Sequence, residues 1–327
     1  MKLVIQIPCF NEEHTLPQTI RDLPKSIPGI DQIEILVVND GSRDRTAAVA
    51  QAAGAHHVLN LGTQRGLALA FTAGLDHALS LGADIVVNTD GDNQYMGADI
   101  PKLVEPILEG RADMVVGCRP IVEHREFSPL KKMLQLLGSW TLRAISKTTV
   151  RDAASGFRAF SRETCQRLFI YSRFSYCMET LIQAGNSNLR VDSVDIRVNP
   201  STRPSRLFKS LPEYMWKSAT TMIKMFIVYR PGGFFTLLAS VPLAGALGLG
   251  LRFLWLVYFS PHPDPRRTYL PSLILLVVLA LFAGLLFALA IIAELIRSQR
   301  LLSEEILYLR RRAFDALMET YEKDSLG

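Results

Sequence analysis

The 327-residue chain carries 36 Lys and Arg against 31 Asp and Glu, a net charge of +5, and 49% of its residues are apolar. A mean hydropathy of +0.18 is high for a chain in which 20% of residues are charged; it excludes one uniform soluble globule and argues for a water-soluble part joined to a membrane part. Cys9, Cys118, Cys165 and Cys177 have neither metal-type spacing nor a disulfide-framework pattern, so they read as buried thiols in a reducing compartment.

The N-terminus, MKLVIQIPCFNEE, turns polar too quickly for a signal peptide, which places the first half of the chain in the cytosol. Up to about residue 200, short β-branched runs alternate with longer helical stretches. The predicted strands are Leu3–Ile7, Glu34–Asn39, His57–Leu61, Ile85–Asn88, Met114–Gly117 and Val191–Val198. Helices are predicted over Glu12–Leu23, Arg45–Ala53 and Gly66–Ser80. Continuous apolar strands alternating with helices give an α/β domain with a mostly parallel sheet covered on both faces. Ligands of such sheets sit beyond the carboxyl ends of the strands, where Pro8–Glu12, Asp40–Ser42, Asp90–Gln94 and Arg119 fall. The string TDGDNQ at Thr89–Gln94 is the most informative of these. Two carboxylates one residue apart repel each other, and a divalent cation such as Mg²⁺ or Mn²⁺ offsets that repulsion while keeping positions free for phosphate.

Beyond the sheet the pattern becomes interfacial. Leu130, Met133, Leu134, Leu137, Thr141 and Ala144 follow helical spacing, flanked by Lys131, Lys132, Arg143 and Lys147, and predict a helix over about 128–147. Ser210-Leu211-Pro212-Glu213 reads as a capping box, and Met215, Ala219, Met222, Ile223 and Phe226 form the apolar stripe of a second helix within 207–230. Apolar faces edged with Lys and Arg fit an anionic membrane surface; the alternative is ordinary packing on the domain. Gly233–Leu251 and Tyr269–Ala293 are uncharged and long enough to cross a bilayer, and the polar link Ser260–Arg267 makes them a hairpin within 231–296, with spans of about 233–258 and 269–293. Lys224 and Arg230 before the first span, with Arg297 and Arg300 after the second, put both chain ends in the cytosol. In the tail, 297–327, Leu302, Ile306, Leu309, Ala313, Ala316 and Thr320 keep a 3-4 heptad step: a homo-oligomer contact, or an amphipathic face laid on membrane or domain.

The series IPCFNEE (7–13), VVNDGSRDRT (37–46), QRGLALAFTAGL (64–75), TDGDNQ (89–94), VVGCR (115–119) and SGFRAF (155–160) resembles glycosyltransferase family 2. NPSTRPSR (199–206) and the two-span hairpin are similar to its polyprenyl-phosphate glycosyltransferases, relatives of dolichol-phosphate mannose synthase. The resemblance implies a GT-A, Rossmann-like fold over residues 1–206, with a nucleotide-sugar donor, a polyprenyl phosphate acceptor and membrane lipids as partners; nucleic acid is not expected. It implies that Pro8, Asn11, Glu12, Asp40 and Asp90 bind the donor nucleotide. Asn11 and Glu12 also suit a helix start, as N-cap and first-turn acid. The family usually has two acids where this chain has Asn39-Asp40, which leaves the donor-contacting role to Asp40.

By the same resemblance Asp90, Asp92 and Gln94 match the metal-binding D-x-D-x-Q pattern, with Asp92, Asp152 and Arg158 catalytic and Asp152 a base or an orienter. Arg119, Ser155, Arg158, Arg203 and Arg206 fall where the acceptor phosphate is held, a task suited to the planar arginine fork. The expected reaction is transfer of one sugar from a UDP- or GDP-linked donor to polyprenyl phosphate, inverting and metal-dependent, at the cytosolic face of the cell (inner) membrane. The alternative is a glycolipid or polysaccharide acceptor. Processive synthases usually carry Q-x-x-R-W, and here Gln135 and Trp140 are wrongly spaced and lack the arginine.

Overall fold

The computed structural model describes residues 1–120, 150–170, 176–200, 220, 223–224, 226–259 and 269–326, with side chains to residue 313. It contains two compact units, Met1–Ser218 with Glu304–Gly327, and Ala219–Ser303. Both predicted interfacial helices fall largely outside the described residues, as do Arg203 and Arg206.

The first unit is built on a seven-stranded sheet in the order β3-β2-β1-β4-β6-β5-β7. Its strands are β1 (Lys2–Cys9), β2 (Gln32–Asn39), β3 (His57–Asn60), β4 (Ile85–Asn88), β5 (Met114–Cys118), β6 (Arg158–Ser161) and β7 (Val191–Asp195). All pairings are parallel except those of β6, which runs antiparallel between β4 and β5. The helices are α1 (Leu16–Arg21), α2 (Thr46–Ala52), α3 (Leu67–Ser80), α4 (Ile100–Leu108), α5 (Arg162–Arg167) and α6 (Tyr176–Asn186).

The apolar runs that predict strands are buried on both faces: Leu3, Val4, Ile5 and Ile7 of β1 are fully covered, as are Ile85, Val86 and Val87 of β4. Helix α4 follows the spacing Ile100, Leu103, Val104, Ile107, all buried, with proline in its first turn. Phe71 of α3 stacks on Tyr176 at 4.2 Å between ring centroids and meets Phe160 of β6 edge-on at 5.8 Å. Burying such a ring contributes about 1.5–3 kcal/mol, so these contacts help fix β6 in the middle of the sheet.

β6 is absent from the sequence reading. The last predicted strand is too long, since β7 ends at Asp195 and Val198 makes only an isolated bridge to Tyr95. Helix α1 starts at Leu16 rather than near Glu12, because Asn11 adopts a left-handed φ of 56° and ties itself to the neighbouring loop instead of capping a helix.

Strand order reverses between β1 and β4, and crevices beyond the carboxyl ends at such a point take ligands. An antiparallel strand begins where its parallel neighbours end, so the loop entering β6 joins the loops leaving β1, β2, β4 and β5 at one sheet edge. Gly41, with φ +68°, holds this edge together: a Cβ there would lie 2.5 Å from the Gln64 nitrogen and 2.6 Å from the Thr63 carbonyl carbon. Both are backbone atoms and cannot swing away. Gly41→Ala is expected to cost about 2–4 kcal/mol, combining a left-handed alanine with overpacking, and thermal unfolding of the purified variant measures it.

The final turns of the C-terminal helix also belong to this unit. Arg311 donates to the carbonyls of Gln166 at 3.2 Å and Leu168 at 2.6 Å at the C-terminal end of α5, and to the Asp76 carboxylate at 2.6 Å. Arg167 lies over the Tyr308 ring at 4.0 Å.

The second unit contains α7 (Pro231–Tyr258) and the apolar part of α8, a helix that runs unbroken from Leu270 to Leu326. Both helices are long and apolar enough to cross a membrane. Phe253 meets Tyr269 edge-on at 5.8 Å, and Glu294 of α8 accepts the Gly232 amide at 3.3 Å in the first turn of α7, the favourable end for a carboxylate.

Candidate active site

Three strand-end loops are laced together by side-chain-to-backbone hydrogen bonds. After β1, Asn11 donates its amide to Ser42 Oγ at 3.0 Å and accepts from the Arg43 amide at 2.9 Å, while the Glu12 amide donates to Thr46 Oγ1 at 2.9 Å. After β4, the Gly91 carbonyl accepts from Thr15 Oγ1 at 2.8 Å and Thr19 Oγ1 at 3.2 Å. A Cβ on Gly91 would come within 2.8 Å of Cys9 Sγ and 3.4 Å of Glu12 Cγ, so the acidic turn lies directly on the end of β1. Burial, then the carboxylates of Glu12, Asp90, Asp44 and Asp92, push the Cys9 thiol well above its ordinary range. That negative field marks one side of the crevice.

On this side Pro8 lies inside β1 opposite Val38, and Glu12 is buried. Asp40 is buried as well, its two oxygens accepting the backbone amides of Arg65 at 2.7 Å and Gly66 at 2.9 Å. This carboxylate orders the turn that leads into α3. Asn39 bridges two strand ends, donating to Asn60 Oδ1 at 2.8 Å and accepting from the Ser42 amide at 3.1 Å. An aspartate at position 39 would lack the donor, which gives a physical reason for the departure from two acids.

Asp90, Asp92 and Gln94 are all half-buried on one turn, and the Asp92 carboxylate accepts the Gln94 amide at 3.2 Å. As hard oxygen donors they fit Mg²⁺ or Mn²⁺. Among the described residues no group of three or more His, Cys, Asp or Glu converges on one point, so the turn fits a cation that takes its remaining ligands from phosphate and water.

The opposite side is built from the end of β5 and the loop entering β6. Arg119 grips Asp152 through both carboxylate oxygens, Nε at 2.7 Å and Nη2 at 3.1 Å. The Asp152 side chain is 1% exposed whereas Arg119 keeps 24%, so the carboxylate lies beneath the guanidinium. Ser155 is fully buried, its Oγ accepting the Phe157 amide at 3.3 Å.

Arg158 is the next assigned residue. It is fully buried in β6 and donates to the carbonyls of Ser155 at 2.7 Å, Ala153 at 2.8 Å and Cys177 at 2.6 Å, and to Thr180 Oγ1 at 2.6 Å. Its guanidinium knits the entering loop to α6. An exposed cation on the same loop escaped the sequence reading: Arg151, 60% exposed and paired with Asp195 at 2.7 Å.

The two sides touch. A Cβ on Gly156 would lie 3.3 and 3.6 Å from the Asp90 carboxylate oxygens and 2.5 Å from the Tyr176 hydroxyl. The Gly156 amide donates to Tyr95 Oη at 3.0 Å, and its carbonyl accepts from Asn88 Nδ2 at 2.8 Å. Asn199 clips a third segment on, accepting no substrate role from the sequence beyond its place in NPSTRPSR: its amide donates to the Gln94 carbonyl at 2.8 Å and its Nδ2 to the Asn93 carbonyl at 2.9 Å. Asn199 thus ties the segment after β7 to the acidic turn.

The family model for glycosyl transferase family 2 matches residues 4–169, half of the chain, and covers every loop described above except the Asn199 clip. The chain belongs to glycosyl transferase family 2. As a family 2 glycosyltransferase it is 30% identical over 174 residues to the undecaprenyl-phosphate mannosyltransferase of Micrococcus luteus, spanning 51% of this chain and 70% of that one. Over 221 residues it is 30% identical to the UDP-N-acetylglucosamine–dolichyl-phosphate N-acetylglucosaminyltransferase of Methanococcus voltae, spanning 58% and 83%. Its fold is that of glucosyl-3-phosphoglycerate synthase from Mycobacterium tuberculosis, solved with Mn²⁺, UDP and glucosyl-3-phosphoglycerate; the TM-score is 0.53 at 22% identity, covering 69% of this chain and 78% of that one. The mostly parallel GT-A-like sheet expected from the sequence is thus the observed one.

Proposed function

We infer that this glycosyltransferase moves a single sugar from a UDP- or GDP-linked donor to polyprenyl phosphate, with inversion, at the cytosolic face of the cell membrane. The observation that carries the reading is the contact of the Asp90 carboxylate with the Gly156 loop, which sets an acidic, cation-suited turn against an arginine-bearing loop at one sheet edge. The names of the relatives in Micrococcus luteus and Methanococcus voltae support a polyprenyl-type acceptor, and the two membrane-length helices support an acceptor held in a bilayer.

On the donor side, Asp40 fixes the Arg65–Gly66 turn, and Asn11 and Glu12 close the end of β1. Asp90, Asp92 and Gln94 would hold Mg²⁺ or Mn²⁺. A divalent cation supplies Lewis-acid stabilisation of the negative charge that develops on a departing nucleoside diphosphate. On the acceptor side, Asp152 aims Arg119, and Arg151, Arg203 and Arg206 add positive charge for the lipid phosphate. A phosphate monoester has a second pKa of about 6, so it is already nucleophilic at neutral pH and needs placement more than a strong base. One of its oxygens bonds to the anomeric carbon as the bond from that carbon to the diphosphate breaks on the opposite face, which inverts the centre. Tethering the domain beside the headgroup layer raises the effective concentration of an acceptor confined there.

The test is transfer of radiolabel from a panel of UDP- and GDP-sugars to undecaprenyl or dolichyl phosphate by the purified protein with Mn²⁺ or Mg²⁺. A chelator-sensitive, organic-extractable product from one donor is expected, and it names the sugar. Label released onto a glycolipid or polysaccharide instead would replace the acceptor. Arg203→Ala is expected to raise KM for the lipid phosphate more than KM for the donor in the same assay; the reverse pattern would move Arg203 to the nucleotide side.

A further inference from the structure

The catalytic reading leaves one sequence feature unused, the 3-4 step of Leu302, Ile306, Leu309, Ala313, Ala316 and Thr320 on α8. On a helix of 3.6 residues per turn, Glu304, Leu307, Tyr308 and Arg311 share the opposite face. That is the face held by the catalytic unit: Tyr308 is buried beneath Arg167, and Arg311 is bound to Leu168 and Asp76. The stripe itself is bare, with Leu302 64%, Ile306 67% and Leu309 53% exposed.

We propose that this stripe pairs with the same stripe of a second copy of the chain as a short parallel coiled coil. The register selects two parallel strands, because Leu302 and Leu309 fall at d and Ile306 at a, the combination that favours parallel dimers. Charge suits the same arrangement. Glu305 takes a g position and Arg310 the e position five residues later, so in a parallel pair each Glu305 faces the other copy's Arg310. Both residues are exposed, and Glu305 reaches Arg167 of its own chain only at 4.0 Å. The membrane placement inferred above adds a third reason, since copies crossing one bilayer in the same sense present their tails in parallel. Ala313 continues the seam with a small residue, and the register runs on in sequence through Ala316 and Thr320. So short a coil is marginal for free helices, and confinement of both copies to one membrane raises their effective concentration.

Cysteine cross-linking of the full-length chain in membranes tests the pairing, and the four native cysteines are buried and leave the background low. Leu302→Cys and Leu309→Cys are each expected to give disulfide-linked dimers on mild oxidation, and Leu301→Cys, exposed but outside the seam, is not. Glu305→Arg should remove most of the dimer, and Glu305→Arg combined with Arg310→Glu should restore it. Absence of dimer at both seam positions would overturn the pairing and leave the stripe to lipid. Equal yield at Leu301→Cys would mark random collision and overturn it too, as would failure of the charge swap to rescue. Carbonate extraction of the same membranes reports separately on whether the hairpin is inserted, and none of these readouts depends on sugar transfer.

Discussion

Asp92→Ala is expected to lower sugar transfer by at least about 10²–10³-fold, the range seen when one preorganised stabiliser of developing charge is removed. The residue is half-buried, and its carboxylate accepts the Gln94 amide at 3.2 Å within its own turn. Little of the fold hangs on that bond. The neighbouring turn is held by other groups, through Gly91 to Thr15 and Thr19, and through Asn93 and Gln94 to Asn199. The variant should therefore keep its circular dichroism and unfolding temperature while losing turnover. Adding excess Mn²⁺ should recover part of the rate if the defect is weakened cation binding. Wild-type activity in Asp92→Ala would remove the residue from the reaction.

The second large effect is on stability. Arg158→Met is expected to destabilise the catalytic domain by about 3–5 kcal/mol, the usual cost of breaking a buried, fully engaged charged group. For a domain of this size that is a fall in the unfolding midpoint of roughly 10 °C. Removing the guanidinium takes the buried donors from the carbonyls of Ala153 and Ser155 and one of the donors from that of Cys177. Arg158→Lys should rescue little, because a single ammonium cannot reproduce donors spread over Nε and both Nη atoms. A phosphate-binding arginine would behave differently: the lysine variant would stay folded and show a raised KM for the acceptor. Calorimetry of the two variants separates these roles.

That contrast shows where sequence reasoning stops. The motif SGFRAF marks Arg158 as important, yet nothing in the string says whether an arginine after a glycine-aromatic pair points into a crevice or under a loop. Its burial follows from β6 lying between β4 and β5, and β6 itself is illegible locally. It is four residues long, Arg-Ala-Phe-Ser, and gains its strand character from two neighbours rather than from its own pattern. The parallel β2-β1-β4 stretch was legible because these strands are continuous apolar runs, a signal that depends on burial of both faces alone. The strand-end clusters were legible for the same reason, as polar residues interrupting such runs. Asn11 shows the opposite case: an asparagine before an acid suits an N-cap, but its partners, Ser42 and Arg43, are about thirty residues away and no local rule finds them.

The position of β6 also has a consequence for the order in which the molecule assembles. β5 is made before β6 but sits outside it, so a nascent chain ending near residue 120 possesses β1 to β5 and lacks the strand that joins β4 to β5. The β1–β4 ribbon has its local right-handed crossovers and closes early, while the centre of the sheet waits for a strand that must insert between two existing edges. Until then β4 and β5 each expose an unpaired backbone edge, the condition that invites intermolecular pairing. Biogenesis of this enzyme is therefore most vulnerable to aggregation during synthesis of the segment between residues 120 and 158, before its own membrane helices have left the ribosome.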